Sequence, residues 1–260
     1  MKVVILCGGQ GTRLREETEY RPKPMVEIGG RPIVWHIMKA YAYYGHSQFI
    51  LCLGYKGNVI KEYFLNYEAM NSDITMTLGQ LRAIAYHDQH HEQEFAVTLA
   101  DTGQNTMTGG RLNRVKKYVS RDDTFLLAYG DGLSDVNIAK VVEFHRKHGK
   151  KATLTTVRPT SRYGVIGING SGTVKQFSEK PVLDSWINSG FFVFDRSVFD
   201  FLDEGDECIL ERRPLGRLAA EGQLMAYRHE GFFQAMDTYR EYQYLNELWN
   251  SGASPWKVWE

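Results

Sequence analysis

The sequence lacks an excess of either charge, since 31 lysines and arginines balance 31 aspartates and glutamates and the formal net charge is +0. A protein without net positive charge has no general attraction for nucleic acid or for an anionic membrane surface. We therefore expect neither of these partners. Any anion-binding site must come from a local group of basic side chains.

Cysteine is scarce, and long apolar runs are absent. The three cysteines, Cys7, Cys52 and Cys208, lie far apart and form no Cys-x-x-Cys pair, which argues against a disulfide framework or a cysteine zinc site. No stretch approaches the ~20 apolar residues that a membrane-spanning helix needs. The short apolar run at the N-terminus predicts a strand and not a signal peptide. We expect a cytoplasmic protein with no membrane partner.

The richest pattern is a glycine turn that follows the apolar, β-branched run Lys2 to Cys7, which predicts a buried strand. The turn consists of Gly8, Gly9, Gln10 and Gly11, and Thr12 and Arg13 come directly after it. Glycines allow backbone N–H groups to approach an anion closely. Lys23 adds a second cation between two prolines, which stiffen the segment. Together these features predict a cradle for phosphate groups.

Two commoner glycine loops do not fit this turn. A P-loop requires Gly-Lys-Ser/Thr, whereas this chain has Gly11-Thr12-Arg13. A dinucleotide fingerprint requires a third glycine where this chain has Leu14. An ordinary strand-to-helix turn is the remaining alternative, and the convergence of Arg13 and Lys23 on the turn argues against it.

Carboxylates follow two other predicted strands. The nearly continuous apolar run Thr124 to Tyr129 predicts a central strand of a parallel sheet, and Asp131 follows it between two glycines. A second predicted strand, Phe232 to Met236, leads into Asp237. Ligands bind beyond the carboxyl ends of such strands, and Mg²⁺ prefers carboxylate oxygens. Asp131 and Asp237 are therefore candidate metal ligands, with a simple turn residue as the alternative for Asp131.

The histidine-rich segment 87–91 raises a different metal hypothesis. It lacks a set of histidines and carboxylates at the spacing of a tetrahedral site, so we predict a solvated loop.

The order of elements predicts an α/β fold in one domain. Strands and helices alternate in the first half, which indicates a parallel sheet with right-handed crossovers, and the second half is richer in strands. Predicted helices include Asn58 to Tyr67, with Asn58 as N-cap, and Tyr239 to Asn250. We expect a nucleotide half over about 1–157 and a sugar-binding and assembly half over 158–260. The tail residues Trp256 and Trp259 are hard to place in one subunit's core, which indicates a homo-oligomer.

Several motifs carry a resemblance to a known family. Gly-Gly-x-Gly-Thr-Arg-Leu at 8–14, with Pro-Lys-Pro at 22–24, resembles the signature of the sugar-phosphate nucleotidyltransferases. Residues 25–41, Met-Thr-Gly-Gly-Arg-Leu at 107–112, Tyr-Gly-Asp-Gly at 129–132 and the tail 254–260 resemble more narrowly the glucose-1-phosphate cytidylyltransferases. The resemblance extends over nearly the whole chain.

The resemblance implies a fold, a reaction and an assembly. The fold would be a Rossmann-like mixed, mostly parallel sheet flanked by helices, of the nucleotide-diphospho-sugar transferase type, with a strand-rich sugar-binding part. The reaction would convert CTP and α-D-glucose 1-phosphate into CDP-glucose and pyrophosphate, with Mg²⁺, toward surface polysaccharide. The assembly would be a hexamer.

The same resemblance assigns residues. Arg13 and Lys23 would be catalytic, and Asp131 and Asp237 would hold Mg²⁺. The nucleotide would contact Leu6, Cys7, Gly8, Gly9, Gln10, Gly11, Thr12, Arg13, Lys23, Thr106, Arg111 and Gly130. The sugar phosphate would contact Glu179, Lys180, Asn188 and Gly190. Ser189 stands where the resemblance predicts glycine, and its side chain could crowd the sugar.

The chemistry fits a chain in which we identify no Ser-His-Asp or Cys-His arrangement. The nucleophile would be a phosphate oxygen, already ionised at neutral pH because the second pKa of a phosphomonoester is about 6. What remains is charge neutralisation and alignment. A uridylyl- or thymidylyltransferase is the alternative enzyme. A catalytically silent sensing subunit is the alternative class, and it would be expected to have lost Lys23, Asp131 or Asp237.

Overall fold

A computed structural model describes residues 1–79, 83–87, 90, 92, 94–203 and 205–260. Among the residues interpreted above, Asp88, Gln89 and His91 of the histidine-rich segment lie outside this description. Within the described ranges, no helix has the length and apolar character needed to cross a membrane.

The strands in chain order are β1 Lys2–Leu6, β2 Glu27–Ile28, β3 Arg31–Pro32, β4 Gln48–Leu53, β5 Ile74–Met76, β6 Ile84–Tyr86, β7 Ala96–Asp101, β8 Thr124–Tyr129, β9 Gly132–Ser134, β10 Ala152–Val157, β11 Val165–Ile168, β12 Val174–Ser178, β13 Ile187–Asp195, β14 Leu224–Arg228 and β15 Phe233–Ala235. The helices are α1 Arg15–Thr18, α2 Ile33–Tyr43, α3 Gly57–Leu65, α4 Tyr67–Asn71, α5 Thr108–Arg114, α6 Lys116–Val119, α7 Ile138–His148, α8 Arg213–Ala220 and α9 Tyr239–Asn250. Short 3₁₀ helices cover Thr12–Leu14, Lys23–Met25 and Arg196–Phe201.

The main sheet has the strand order β14-β10-β13-β8-β1-β4-β7 within the described residues. Strand β13 runs antiparallel to both of its neighbours, and the other pairs in the sheet are parallel. Successive side chains of β1 enter opposite cores, with Val3 and Ile5 on one face and Val4 on the other. This double burial explains the continuous apolar runs in the sequence. The mixed, mostly parallel sheet flanked by helices confirms the predicted fold class.

Two strand pairings bring the predicted site together. Strands β1 and β8 are parallel neighbours with Leu6 opposite Tyr129, so the glycine turn and Asp131 emerge at the same edge. Strands β9 and β15 pair antiparallel, with Gly132 opposite Ala235. Asp131, the residue before β9, therefore lies beside Met236, the residue after β15. The N–H of Met236 donates to the carbonyl of Asp131 at 2.9 Å, and Asp237 follows directly.

The predicted N-cap at Asn58 is wrong. Helix α3 begins at Gly57, and Lys56 occupies the N-cap position with a φ of 48°. The helix also ends earlier than predicted, because the Asn66 side chain donates to the carbonyl of Glu62 at 2.8 Å and α4 starts at Tyr67. A side chain that bonds to the last helical carbonyls competes with continuation of the helix.

The placement of Trp256 corrects a second prediction. This residue is 0% exposed within its own chain, so the tail does not need a partner to bury it. Its indole N–H donates to Nδ1 of the buried His36 at 3.3 Å, and its ring stacks on Phe232 at 5.7 Å. Trp259 is half-buried and lies edge-on to Trp35 at 5.8 Å. The sequence alone could not show this pocket because His36 and Phe232 are far away in the chain.

Candidate functional site

The glycine turn presents main chain to solvent at the end of β1. Gly9, Gln10, Thr12 and Arg13 are exposed, whereas Gly8 is buried. Gly11 has a φ of +63°, a conformation that side chains rarely tolerate. Most of the glycine turn is therefore exposed next to the ends of β1 and β8, where the sequence predicted a phosphate cradle.

Arg111 lies beneath this turn and is 4% exposed. Its guanidinium donates to Gly8 O at 3.0 Å, Leu53 O at 3.0 Å, Gly103 O at 2.7 Å, Gln104 O at 3.2 Å and Thr102 Oγ1 at 2.9 Å. A Cβ on Gly8 would come within 2.2 Å of this guanidinium. Arg111 thus fixes the glycine turn against the loop after β7, and its direct contact with a nucleotide stays a prediction.

The other predicted nucleotide residues surround the same loops. Thr106 is buried beside Gly103. A Cβ added to Gly103 would lie 2.6 Å from the Thr106 hydroxyl oxygen. The N–H of Gly130 donates to Leu6 O at 3.1 Å, and that of Cys7 donates to Cys52 O at 3.0 Å. These contacts hold the main chain around the turn, and the residues' roles toward a ligand stay predictions.

Lys23 and two carboxylates form the charged centre of the site. The Lys23 ammonium donates to Asp131 Oδ2 at 2.5 Å and to Asp237 Oδ1 at 2.7 Å. The lysine side chain is 10% exposed, and those of Asp131 and Asp237 are 31% and 19% exposed. Burial alone would lower the pKa of Lys23, but the charges and hydrogen bonds of both aspartates outweigh it and raise the pKa. Lys23 is therefore a fixed cation at neutral pH.

Arg13 is the second cation of the same centre. Its guanidinium donates to Asp237 Oδ2 at 2.9 Å, so each oxygen of Asp237 faces one cation. Burial would raise the pKa of Asp237, whereas the hydrogen bond and charge of Lys23, with Arg13, lower it. The Arg13 side chain is 70% exposed and can turn toward an anion in solvent.

The donor set suits a hard divalent cation. Asp131 and Asp237 present carboxylate oxygens to one point, where the Lys23 ammonium now stands as a cation between them. Two carboxylates completed by substrate phosphates and water are the usual Mg²⁺ environment. Within the described ranges no group of three or more His, Cys, Asp or Glu could hold a metal ion by itself.

A large cleft opens beside this centre. Its volume is about 1140 Å³, and Asp237, Lys180, Arg162 and Glu241 are among the residues that line it. The backbone of Lys180 is left-handed, with a φ of 46°, and its ammonium lies 3.6 Å from the Glu179 carboxylate. The structure therefore brings Lys180 and the metal candidate Asp237 to one cavity.

Other predicted sugar contacts are engaged within the chain. Asn188 accepts from the N–H of Gly190 at 2.7 Å and donates to the Tyr129 hydroxyl at 3.1 Å. Gly190 has a φ of +82°, and a Cβ there would lie 2.5 Å from the Tyr129 ring. Neither Asn188 nor Glu179 is among the described residues that line the cleft. Their sugar contacts stay predictions.

Ser189 does not crowd the cleft. Its hydroxyl donates to the carbonyl of Thr155 at 2.8 Å inside the main sheet, and the residue is 3% exposed. Successive residues of a strand face opposite sides of the sheet, so Ser189 faces away from the side of β13 on which Asn188 and Gly190 lie.

Sequence reasoning missed two carboxylates, Glu211 and Glu241. Glu211 accepts from the Thr108 hydroxyl at 2.6 Å and from the hydroxyl of Tyr129, which also contacts Asn188. Glu241 binds the main chain at Asp237. The sequence Thr238-Tyr-Arg-Glu241 carries a capping-box pattern, and that signal could have identified Glu241. Glu211 has no such local signal, since its partners are distant in sequence.

Comparisons with known proteins identify the family of the chain. The family described as Nucleotidyl transferase matches residues 2–215. A glucose-1-phosphate cytidylyltransferase of Salmonella typhimurium is 52% identical over 261 residues, covering 100% of both chains. A probable glucose-1-phosphate cytidylyltransferase of Bacillus subtilis is 44% identical with the same coverage. The crystal structure of HddC from Yersinia pseudotuberculosis covers 95% of this chain and 99% of its own, with a TM-score of 0.69. Because that structure is 23% identical, it supports the fold alone.

Proposed function

The chain belongs to the nucleotidyl transferase family, and from that premise we propose that it transfers a cytidylyl group from CTP to α-D-glucose 1-phosphate. The products are CDP-glucose and pyrophosphate. The choice of CTP and glucose rests on the relatives that share 52% and 44% of its residues over its full length. The transfer chemistry is supported independently by the charged centre.

One observation carries the chemistry. A buried ammonium, Lys23, lies between two carboxylates that follow different strands, and a glycine turn opens beside it. A buried cation and a pair of carboxylates next to an exposed glycine turn suit the polyanionic transition state of phosphoryl transfer. A catalytically silent subunit is disfavoured because Lys23, Asp131 and Asp237 are all present and already in contact.

The reaction forms one P–O bond and breaks another. A phosphate oxygen of glucose 1-phosphate attacks the α-phosphorus of CTP, the bond from that phosphorus to the bridging oxygen breaks, and pyrophosphate leaves with the electron pair. The backbone of Gly8–Gly11 and the side chain of Arg13 would hold the β- and γ-phosphates. Lys23 would neutralise the α-phosphate as charge develops there. No proton transfer is required, because the attacking oxygen is ionised above a pKa of about 6.

We propose Asp131 and Asp237 as the ligands of a divalent cation, Mg²⁺ in the cell. When bound, such an ion supplies charge neutralisation and alignment of the two phosphate groups. The pairing of β9 with β15 would keep the two aspartates next to each other.

The large cleft is the proposed sugar-phosphate site. Lys180 lines it and carries the charge to bind the phosphate of glucose 1-phosphate. Glu179, Asn188 and Gly190 stay predicted sugar contacts from the β12–β13 region. We treat residues 1–260 as one domain, since strands from both predicted halves share the main sheet. A homo-oligomer, with a hexamer by resemblance, and a cytoplasmic location stay predictions.

The test is a competition among nucleotides. The purified protein is incubated with glucose 1-phosphate, Mg²⁺ and equal concentrations of CTP, UTP, dTTP, ATP and GTP, and the nucleotide sugars are identified by mass. We expect CDP-glucose to dominate, since each buried polar group left unpaired by a wrong base costs about 1–3 kcal/mol. Two such mismatches correspond to discrimination on the order of a hundredfold.

The other outcomes separate the two parts of the proposal. Predominant UDP- or dTDP-glucose would leave the mechanism standing and overturn the assignment of the base. If no nucleotide sugar forms with any triphosphate, the catalytic proposal fails as a whole.

A further inference from the structure

Glu241 lies at the start of α9, and its two carboxylate oxygens have separate partners. Oε2 accepts from the main-chain N–H of Asp237 and from that of Thr238, each at 2.8 Å. Oε1 accepts from the Arg162 guanidinium at 2.6 Å. The glutamate side chain is 15% exposed, so these contacts hold it in one orientation.

This arrangement exceeds what helix capping requires. In a capping box the glutamate three residues into the helix satisfies the N–H of the N-cap residue, which here is Thr238. Glu241 also binds the N–H of the preceding residue, and that residue is the metal candidate Asp237. The extra hydrogen bond fixes the main chain from which the Asp237 carboxylate projects toward Lys23 and Arg13.

Arg162 explains why Glu241 stays in place. It belongs to the segment 158–163, which lines the large cleft together with residues of α9. Its ion pair uses Oε1 of Glu241, so that Oε2 accepts from the N–H groups of Asp237 and Thr238. A carboxylate anchored on both sides has little freedom to rotate, so the backbone at Asp237 is held by a fixed acceptor.

We propose that Glu241 is a positioning residue that orients Asp237 for binding the divalent cation. The inference rests on the proposed function, because it takes Asp237 as a ligand of the ion that accompanies the nucleotide. Glu241 is not itself proposed as a ligand of the ion. It acts through the main chain of Asp237, as partners outside the ligand shell orient ligands in other metal sites.

The experiment compares three variants with the wild type. Glu241→Ala removes both sets of contacts. Glu241→Gln keeps a carbonyl oxygen that can accept from the N–H groups of Asp237 and Thr238. Asn137→Ala is the matched control, because Asn137 caps α7 by accepting from the N–H of Lys140 at 3.0 Å and has no part in the site. Both alanine substitutions remove a side chain that caps a helix, so Asn137→Ala controls for lost helix stability.

The main readout needs no turnover. Each protein is titrated with Mn²⁺ in the presence of CTP and without glucose 1-phosphate, and free Mn²⁺ is followed by its electron paramagnetic resonance signal. Relative to the same titration of CTP alone, we expect Glu241→Ala to weaken protein-dependent Mn²⁺ binding about 10- to 100-fold. Glu241→Gln should restore binding close to that of the wild type, and Asn137→Ala should bind as the wild type does.

A second readout is the metal dependence of product formation, where Glu241→Ala should need a correspondingly higher Mg²⁺ concentration. Wild-type Mn²⁺ affinity in a folded Glu241→Ala protein would overturn the inference. Equal weakening in Asn137→Ala would also overturn it, because the effect would then follow from lost helix stability. If the proposed function is wrong, the wild-type protein will form no CDP-glucose. The Mn²⁺ titrations do not depend on product formation, so they test the role of Glu241 separately.

Discussion

Lys23 shows how one side chain can be identified by its neighbours in sequence and understood only through its neighbours in space. The flanking Pro22 and Pro24 mark a stiff segment, and the 3₁₀ helix Lys23–Met25 buries the lysine. The charge is tolerated because Asp131 and Asp237 both pair with it. A buried charge with two hydrogen-bonded partners keeps its ionised state, and here the pKa of Lys23 is raised.

We expect Lys23→Ala to reduce the rate of cytidylyl transfer by at least ~100-fold, the scale of losing one preorganised charge-stabilising donor. The measurement is kcat with saturating Mg²⁺ and both substrates. Lys39→Ala is the matched control, since the Lys39 side chain is 14% exposed and pairs with Glu92 at 3.0 Å outside the site. Turnover of Lys23→Ala within a few-fold of the Lys39→Ala protein would reduce Lys23 to a loop residue.

At the scale of elements, α9 and the tail after it serve the site and the core together. The N-terminus of α9 holds Asp237 through Glu241, and its last turn carries Trp249 into the aromatic cluster around His36. The tail then folds back so that Trp256 fills the space between His36 and Phe232. The C-terminal segment is therefore part of the core of its own chain.

We expect Trp256→Ala to lower the free energy of unfolding by about 3–5 kcal/mol, as for other large-to-small changes in a core. The substitution leaves a cavity, and it also leaves Nδ1 of His36 without its hydrogen-bond donor. Urea denaturation followed by circular dichroism gives the value. Trp259→Ala, at a half-buried position, serves as the comparison and should cost clearly less. Similar small effects of both changes, with a loss of assembly instead, would revive the docking role first predicted for the tail.

At the scale of the whole molecule, the chain buries several neutral histidines. Burial lowers the pKa of His36, on α2, to about 4, and burial also lowers the pKa of His46 and of His145 to about 4. His36 is the most enclosed, and its ring accepts from Trp256 and contacts the carbonyl of Ile28 at 2.9 Å. In the unfolded chain each histidine titrates near 6.5.

These pKa values predict a loss of stability on mild acidification. Between pH 6.5 and 4 the unfolded chain binds protons that the folded chain does not, so the free energy of unfolding must fall as pH falls. His36 alone contributes a loss of about 2 kcal/mol between pH 6.5 and pH 5, at 1.36 kcal/mol per unit. Urea denaturation at a series of pH values measures the slope, and NMR should show a neutral His36 ring at pH 5. A flat profile from pH 7 to 5 would contradict the prediction.

The sequence by itself determined the strands of the main sheet, the longer helices and the glycine turn, because these depend on local patterns. Apolar runs identified β1 and β8, and glycines and prolines led to the prediction of a phosphate cradle. The same local reasoning placed Asp131 and Asp237 after strands, but it did not show that these two strand ends meet. It misplaced the start of α3, where Lys56 adopts a left-handed backbone that no local pattern signals.

Only the tertiary structure decided which groups meet. The antiparallel pairing of β9 with β15 places Asp131 beside Asp237, and Lys23 bridges residues that are 108 and 214 positions away. The same is true of Arg111 beneath the glycine turn and of Trp256 against His36. Such contacts depend on the register between strands and on how the chain packs across the sheet. A local pattern of residues specifies neither the strand register nor the packing across the sheet, because both are fixed only when the hydrophobic cores on the two faces of the sheet form.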